Sequence, residues 1–504
     1  MTTLGQALLV GALGVPALGA LAVFLLPATA DRAGRLLATV VALATLVIVV
    51  PLAVHRDAGW TAPRPPAIRP WHQLDQPWVP GLDLRFHLGV DGVSYPLVVL
   101  TALLTLLCCG FTLWRVPEPG RGRTLAALLL VIEVGILGTF LALDLVLFFV
   151  FFEVVLLPMY AVIAVWGGAD RQRAARKFVL YTLLGSVLLL VGVFTVVAAA
   201  GTADIVALTG GTGLSRNLQL VAFTLLAVAF AVKSPLWPLH TWLPDAHTQA
   251  PTVGSVILAG VLLKMGTYGL IRVAVGVAPQ GARWAAPVLG ILAVAAIIVG
   301  SLVCLAQTEI KRLIAYSSVG HMGFVLLGVA ALTATGIQAA LIGNIAHGVI
   351  TGLLFFLAGA VKDRTHTGSL DELGGLRESA PRLAGLLGFA AIASLGLPGL
   401  AGFWGEAFAV VAALERGGPL WTTLAAIAAV GGALTAAYFL RLLRRVTHGP
   451  AAPAVLAMAS PRVAAVEWAA WSPLVLLALL IGLVPALVLA LATDPVNALT
   501  GIVR

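Results

Sequence analysis

Apolar runs of about twenty residues recur along nearly the whole chain, and few features limit a fold so tightly. At roughly 1.5 Å per residue, about twenty residues cross the hydrocarbon core of a bilayer as a helix. In lipid every backbone N–H and C=O must be bonded internally, which leaves helices or closed barrels. A barrel would need alternating strands of about ten residues, and the sequence has none. Fourteen spans are expected, at 5–26, 36–54, 91–114, 124–143, 145–166, 177–200, 218–248 (broken), 252–274, 285–306, 313–331, 337–360, 383–415 (broken), 420–443 and 472–492. The fold class is therefore an all-α polytopic membrane protein. Its composition, 60% hydrophobic and 10% charged over 504 residues, excludes a soluble domain.

The net charge of +9 invites a polyanion-binding reading, but its distribution argues against one. Taking the connections between spans alternately, one set holds nineteen of the Lys and Arg residues and the other nine. The positive-inside rule puts the richer set in the cytoplasm and both termini outside. The basic loop 167–177, with Arg171, Arg173, Arg176 and Lys177, fits headgroup contact. The outward loop 55–90 carries Trp60, Trp71 and Trp78, expected as interfacial anchors. The first apolar run lacks a basic leading segment and is read as a span, not a cleaved signal. Cys108, Cys109 and Cys304 lie in apolar runs without metal-ligand spacing, and no Walker or dinucleotide fingerprint occurs. No metal site and no cofactor bound by this chain are expected. If the chain moves ions, a gradient or a partner must drive them.

Against this apolar background the intramembrane ionisable residues stand out. A charge at the centre of a membrane helix costs about 3 kcal/mol on insertion scales. In the stretch 231–252, AVKSPLWPLHTWLPDAHTQAPT, Lys233 ends an apolar run, and Pro235 and Pro238 follow. Proline lacks an N–H, so the carbonyls of Ala231 and Ser234 are expected to be left free. A broken helix beside a buried charge reads as part of an ion path. His240, Asp245 and His247 follow the break as secondary candidates, and Glu133 in the fourth span is another. Glu153 lies mid-span in LFFVFFEVVLLPMY, as a proton site or the partner of Lys233. Lys264 lies mid-span in SVILAGVLLKMGTYGL, with Gly260 and Thr267 or Tyr268 on its face. A lone helical histidine is more often a core residue than a relay. Here two lie on successive spans: His321 four residues after Ser317, and His347 between Asn344 and Thr351 on one face. The inward loop 361–382 is the most polar stretch. Span twelve then breaks at SLGLPGLAGFWGE, beside Glu406. The two breaks are five spans apart, so their spans run in opposite directions. That suggests inverted five-helix repeats, 124–274 against 285–445, between the N-terminal helices of 1–123 and a last helix in 446–504.

Four segments, AVKSPLWPLHTWLPDAHTQAPT, LLKMGTYGL, AYSSVGHMGF and DRTHTG, resemble the antiporter-like subunits of respiratory complex I. They are similar also to the related subunits of multisubunit Na⁺/H⁺ antiporters. The resemblance covers roughly residues 90–445. Most relatives carry lysine at the break of span twelve. A glutamate there, and FFEVVLLPMY, resemble the M-type branch (chain 4), and a lateral C-terminal helix of the L type is not expected.

The resemblance implies fourteen helices with inverted repeats and proton translocation driven by quinone reduction in partner subunits. Those partners would hold flavin, iron–sulfur clusters and quinone, and would include homologous antiporter-like subunits in a bacterial plasma membrane. Glu153 would pair with Lys233, Lys264 would be the central relay, His321 and His347 would carry the path laterally, and Glu406 would be the exit carboxylate. Three rivals use the same residues differently: a Na⁺/H⁺ antiporter subunit, the membrane arm of a hydrogenase complex, and a scaffold anchoring peripheral subunits. A scaffold has no need of an acid–lysine–lysine–histidine–acid series inside the bilayer.

Overall fold

The computed structural model describes residues 3–54, 68–79, 81, 84–458 and 460–503. Trp60, Arg56, Arg64 and Arg504 lie outside the described residues. Fourteen helices are long and apolar enough to cross a membrane. Thirteen of them fall on expected spans; Ala486–Val503 is additional, and the expected twelfth span is not among the fourteen because its halves are shorter.

The helix Arg171–Ala200 begins at the basic cluster itself, so Arg171, Arg173, Arg176 and Lys177 form its first two turns and not a loop. Arginine and lysine are good helix formers, and the helix-breaking Gly167 and Gly168 and the N-cap Asp170 lie before residue 171. Likewise Ala334–Thr365 extends past the expected end and carries Lys362 and Arg364 on its last turn. The fourteenth span, expected over 472–492, is two helices, Ala465–Leu483 and Ala486–Val503. Pro485 disfavours a helical Val484, which sits at φ −130°, ψ 70°. The second helix buries a single stripe through Val488, Ala492, Val496 and Leu499. Its Pro495 and Leu499 pack on Val93, Thr209 and Gly276, and Arg283 donates to its Ile502 carbonyl at 3.2 Å. All these partners lie at one end of the bundle, so this helix runs over that end. Span twelve, divided into Pro381–Ser394 and Ala401–Arg416, takes its place as a crossing.

The same end carries an antiparallel hairpin, His72–Val79 with Leu84–Val90, where the sequence suggested only an irregular loop. Trp71 packs on Tyr95 at 5.6 Å, and Trp78 remains exposed. His87 O accepts from Leu143 N at 2.8 Å, fastening the hairpin to the turn before the Glu153 segment. Gln6 reaches Gln73 O at 3.5 Å, so both chain ends lie at the hairpin end.

Packing sorts the helices. Arg171–Ala200 and the second span keep a large apolar face outward, as lipid-facing helices do, whereas Thr252–Val275 and Ala334–Thr365 are enclosed on every side. The two enclosed helices carry Lys264 and His347. Glycine lets them meet: a Cβ on Gly348 would strike the Gly260 carbonyl. Similarly, a Cβ on Gly405 would strike Gly343 Cα, which brings the Glu406 helix against the His347 helix.

Both expected breaks are present. The first separates Arg216–Lys233 from Trp242–Gln249. Part of its backbone is satisfied internally: the Ala231 carbonyl, expected to be free, accepts from Leu236 N at 2.9 Å, and Trp242 Nε1 donates to Val232 O at 3.0 Å. At the second break Gly396 and Gly399 adopt φ 81° and 93°, conformations costly for other residues.

Candidate functional site

The Lys264 helix is not regular. A π-helical segment, Leu258–Leu262, precedes the lysine and another, Leu270–Val275, follows it. Such wide turns alter the register of a helix and frequently mark functional positions. Lys264 is fully buried, and its Nζ turns back to the Ala259 carbonyl at 2.5 Å. The same nitrogen lies 2.5 Å from His347 Nδ1 on the neighbouring helix. One turn on, Thr267 donates to Asn344 Oδ1 at 2.9 Å, so the two polar faces read from the sequence meet. Tyr268 points elsewhere, donating to Phe140 O at 3.0 Å.

From His347 the series continues sideways. The His347 and His321 rings lie 5.8 Å apart between centroids. His321 Nδ1 is 2.7 Å from Glu406 Oε1, and its Nε2 is 3.0 Å from Ser394 Oγ. The gap between the histidines borders a cavity of about 30 Å³ lined by His321, His347, Thr351, Ser394 and Glu406. A water needs a polar site of about 10–15 Å³ with two or more partners. His347 Nε2 and Thr351 Oγ1 have no other partner among the described residues. Protein groups and one or two waters can thus make a continuous line from Lys264 to Glu406. Glu406 is 15% exposed, where the line approaches the surface.

Toward the other half the arrangement is looser. Glu153 and Lys233 do not form the expected ion pair. Glu153 accepts a hydrogen bond from Ser186 Oγ, and Lys233 Nζ stands over the Phe152 ring at 4.7 Å from its centroid. The short seryl donor and the aromatic face take the places each charge would have offered the other. Phe152 precedes Glu153 in the chain, so Lys233 and Glu153 stay near one another without closing. The Lys233 break touches the Lys264 helix where a Cβ on Gly266 would meet Ser234.

The secondary candidates divide. Asp245 is held by Lys177 at 2.7 Å and Arg312 at 3.4 Å, away from the line. His240 packs on Tyr316 at 6.2 Å, also apart from it. Glu133 is fully buried, and neither carboxyl oxygen has a partner among the described residues. His247 is fully buried, stacked on Phe355 at 4.6 Å and 10°. The sequence reading missed Ser186 and Ser394, since a hydroxyl in an apolar helix carries no signal of its own. It also placed Arg272 among connection charges. Arg272 instead lies buried on Asp91, at 2.6 and 2.5 Å, and its Nε reaches Tyr268 at 3.3 Å. This closed pair lies on the Lys264 helix at the end where the hairpin sits.

The family described as NADH:quinone oxidoreductase/Mrp antiporter, transmembrane, matches residues 142–435. NADH-quinone oxidoreductase subunit M of Rhodobacter capsulatus is 42% identical over 426 residues, covering 82% of this chain and 81% of that protein. NAD(P)H-quinone oxidoreductase chain 4 1 of Synechococcus sp. (strain JA-3-3Ab) is 44% identical over 383 residues, 75% of this chain and 72% of that one. Among solved structures, a chain of respiratory complex I from Thermus thermophilus with bound NADH superposes with TM-score 0.85. It is 30% identical and covers 99% of this chain and 100% of that one. A chain of the Mrp complex from Dietzia sp. DQ12-45-1b shares the fold, with TM-score 0.84, 24% identity and 99% of each chain covered.

Proposed function

This chain belongs to the NADH:quinone oxidoreductase/Mrp antiporter transmembrane family, and we propose that it is the M-type subunit that moves protons through the membrane arm of an NADH:quinone oxidoreductase. The observation that carries this reading is the line Lys264, His347, His321, Glu406, made of proton-carrying groups alone. Lysine is suited to its head: unlike arginine, its amine can give up a proton and take one back. Each imidazole accepts a proton on one nitrogen and releases it from the other. Glu406 receives the proton and hands it outward.

Glu153 and Lys233 set the timing. When their separation changes, the field at the relay changes with it, and an approaching opposite charge favours the charged form. The proton moves against about 2.3 kcal/mol per 100 mV of membrane potential. That energy comes from quinone reduction in partner subunits, which hold the flavin, the iron–sulfur clusters and the quinone. The two five-span units, 124–274 and 285–445, are read as inverted repeats, with both termini on the outer side of a bacterial plasma membrane.

The test is Lys264→Ala in the assembled complex. In inverted membrane vesicles with NADH as donor, proton uptake is expected to fall by on the order of a hundredfold, within the range for losing a positioned acid–base group. Uptake at the unsubstituted rate in correctly assembled complex overturns the proposal. Activity that depends on sodium, with no redox subunits co-purifying, would make the chain an antiporter subunit instead.

A further inference from the structure

The line from Lys264 to Glu406 gives the proton one way toward the outer side. The Lys264 helix itself offers a second, because it runs on toward the hairpin end, which the charge bias puts outside. A pump open along that axis would leak protons back past the line. The axis is closed instead. Lys264 Nζ turns back toward the Ala259 carbonyl, away from that end. One turn beyond Lys264, Tyr268 gives its hydroxyl hydrogen to Phe140 O at 3.0 Å. Two turns beyond, about 12 Å along, comes Arg272, 6% exposed, on Asp91, 3% exposed.

The pair is tied on both sides. Arg272 Nη2 meets the two Asp91 oxygens at 2.6 and 2.5 Å, and its Nε donates to Tyr268 Oη at 3.3 Å. Asp91 Oδ1 also accepts from Val93 N at 3.0 Å and Ser94 N at 3.1 Å, which fixes the carboxylate to the start of span three. The space beside Arg272, walled by Val93, Thr209, Pro495 and Leu499, is about 10 Å³. That is room for one water at most, not for a chain of them. The helix Ala486–Val503 covers it: a Cβ on Gly92, next to Asp91, would strike the Leu491 carbonyl. A guanidinium is also a poor link in a proton chain. Histidine and lysine take a proton on and give one up, whereas arginine keeps its five N–H hydrogens and has no lone pair to accept another. Stability alone gives weak grounds for such a pair, because well-packed apolar groups replace buried ion pairs at little or no cost.

We infer that Arg272, held by Asp91 and covered by the last helix, is an insulator that stops protons passing between Lys264 and the outer side along their shared helix. This rests on the reading of Lys264 as a relay. No bond forms or breaks at the insulator. Arg272 retains all its hydrogens, and the space beside it holds no water chain along which a proton can hop. A proton on Lys264 is thereby left with His347 as its way out.

The experiment uses the assembled complex in inverted vesicles, whose lumen corresponds to the outer side. The vesicles are loaded at acid pH and diluted into neutral buffer without NADH. Potassium and valinomycin collapse the membrane potential, and a pH dye in the lumen reads the decay of the gradient. Arg272→His puts a group that exchanges its proton near neutral pH where the arginine does not. Its leak is expected to exceed that of the unsubstituted complex by on the order of tenfold, a small share of what a positioned acid–base group supplies to a proton transfer. Arg272→Met removes the charge without supplying a carrier and is expected to leak less than the histidine. With NADH present, both variants keep oxidising it in the partner subunits, while the histidine variant moves fewer protons per NADH. An arginine needed only for structure would give Met and His the same leak. That equality, or an assembled Arg272→His as tight as the unsubstituted complex, overturns the assignment. Should Arg272→His not assemble, Asp91→Asn keeps the shape and loosens the anchor of the arginine. A leak raised a few-fold supports the insulator, and an assembled Asp91→Asn with no added leak overturns it. Arg272→His combined with Lys264→Ala separates the two readings. Leak that disappears in the double variant means that the histidine was passing protons to Lys264. Leak that persists leaves the insulator standing and shows that the relay reading has failed. If Lys264→Ala alone stops uptake while Arg272→His stays tight, the insulator is wrong and the relay stands.

Discussion

The two broken spans place one ionisable residue each beside a proline break, yet they treat it differently. At the second break Glu406 is bonded to His321, which is bonded in turn to Ser394. At the first break Lys233 rests on an aromatic ring while its expected partner Glu153 is held by Ser186. One break ends a connected line; the other holds a charge whose nearest acid is occupied elsewhere. A bonded series is suited to conduct. A charge pair left unclosed is suited to be moved, since its energy still varies steeply with separation. On the proposed function, the loose half is where a signal from neighbouring subunits would act, and the tight half is where protons would pass.

Double-mutant cycles on the two pairs test that contrast most directly. Removing His321 and Glu406 singly and together should give a coupling energy of about 1.5–3 kcal/mol, as for hydrogen bonds to charged groups. The same cycle on Glu153 and Lys233 should give less than about 1 kcal/mol of thermal stability, since each keeps another partner. Lys233→Ala should nevertheless abolish proton uptake, because the field it supplies is lost. Equal coupling energies in the two cycles, measured by thermal unfolding of the solubilised complex, would erase the distinction.

Most of the site was legible in the sequence because membrane helices tolerate few ionisable groups. Lys264, His321, His347 and Glu406 stand out against apolar neighbours, and the structure joins them. What could not be read were the choices between nearly equal partners. The sequence offers Glu153 an obvious lysine, but Ser186 four residues after Thr182 also faces it, and only packing decides. Arg272 was counted with the connection charges because it nears the end of a span, and only its burial on Asp91 sets it apart. The hairpin was hidden by Pro77 and Trp78, and the last span by an apolar run that continues unbroken in composition through Pro485.

Between these extremes lies the spacing of the connected half. Gly405 sits against Gly343, and a methyl group there would meet backbone on the His347 helix. Backbone does not give way as a flexible side chain does. Gly405→Ala should thus push the Glu406 helix outward and cost about 1–3 kcal/mol, the usual range for overpacking. It should also lengthen the contact between His321 and Glu406 and slow uptake with no ionisable group changed. Gly399→Ala, at the break with no neighbour within 4 Å but φ 93°, separates backbone strain from helix separation. If both variants slow uptake alike, the loss reflects the break and not the spacing.

The smallest effect expected is at Ser394. Its hydroxyl meets His321 Nε2 while Glu406 meets Nδ1, so together they fix the ring's orientation. Ser394→Ala removes one neutral hydrogen bond, worth about 1 kcal/mol, and leaves the carboxylate contact in place. The ring keeps its place but gains freedom to turn, and the adjoining cavity, about 30 Å³, enlarges by the volume of a hydroxyl. A second water there could substitute for the serine. Uptake should accordingly fall only a few-fold, about what 1 kcal/mol allows, with assembly unchanged. Ser186→Ala supplies the counterpart in the loose half: freed from its serine, Glu153 can swing toward Lys233. If Ser394→Ala slows uptake modestly while Ser186→Ala stops it, the serine at the first break is holding the pair apart, and the difference between the two halves is one of function. Equal, modest losses would mean that both serines simply satisfy a buried polar group.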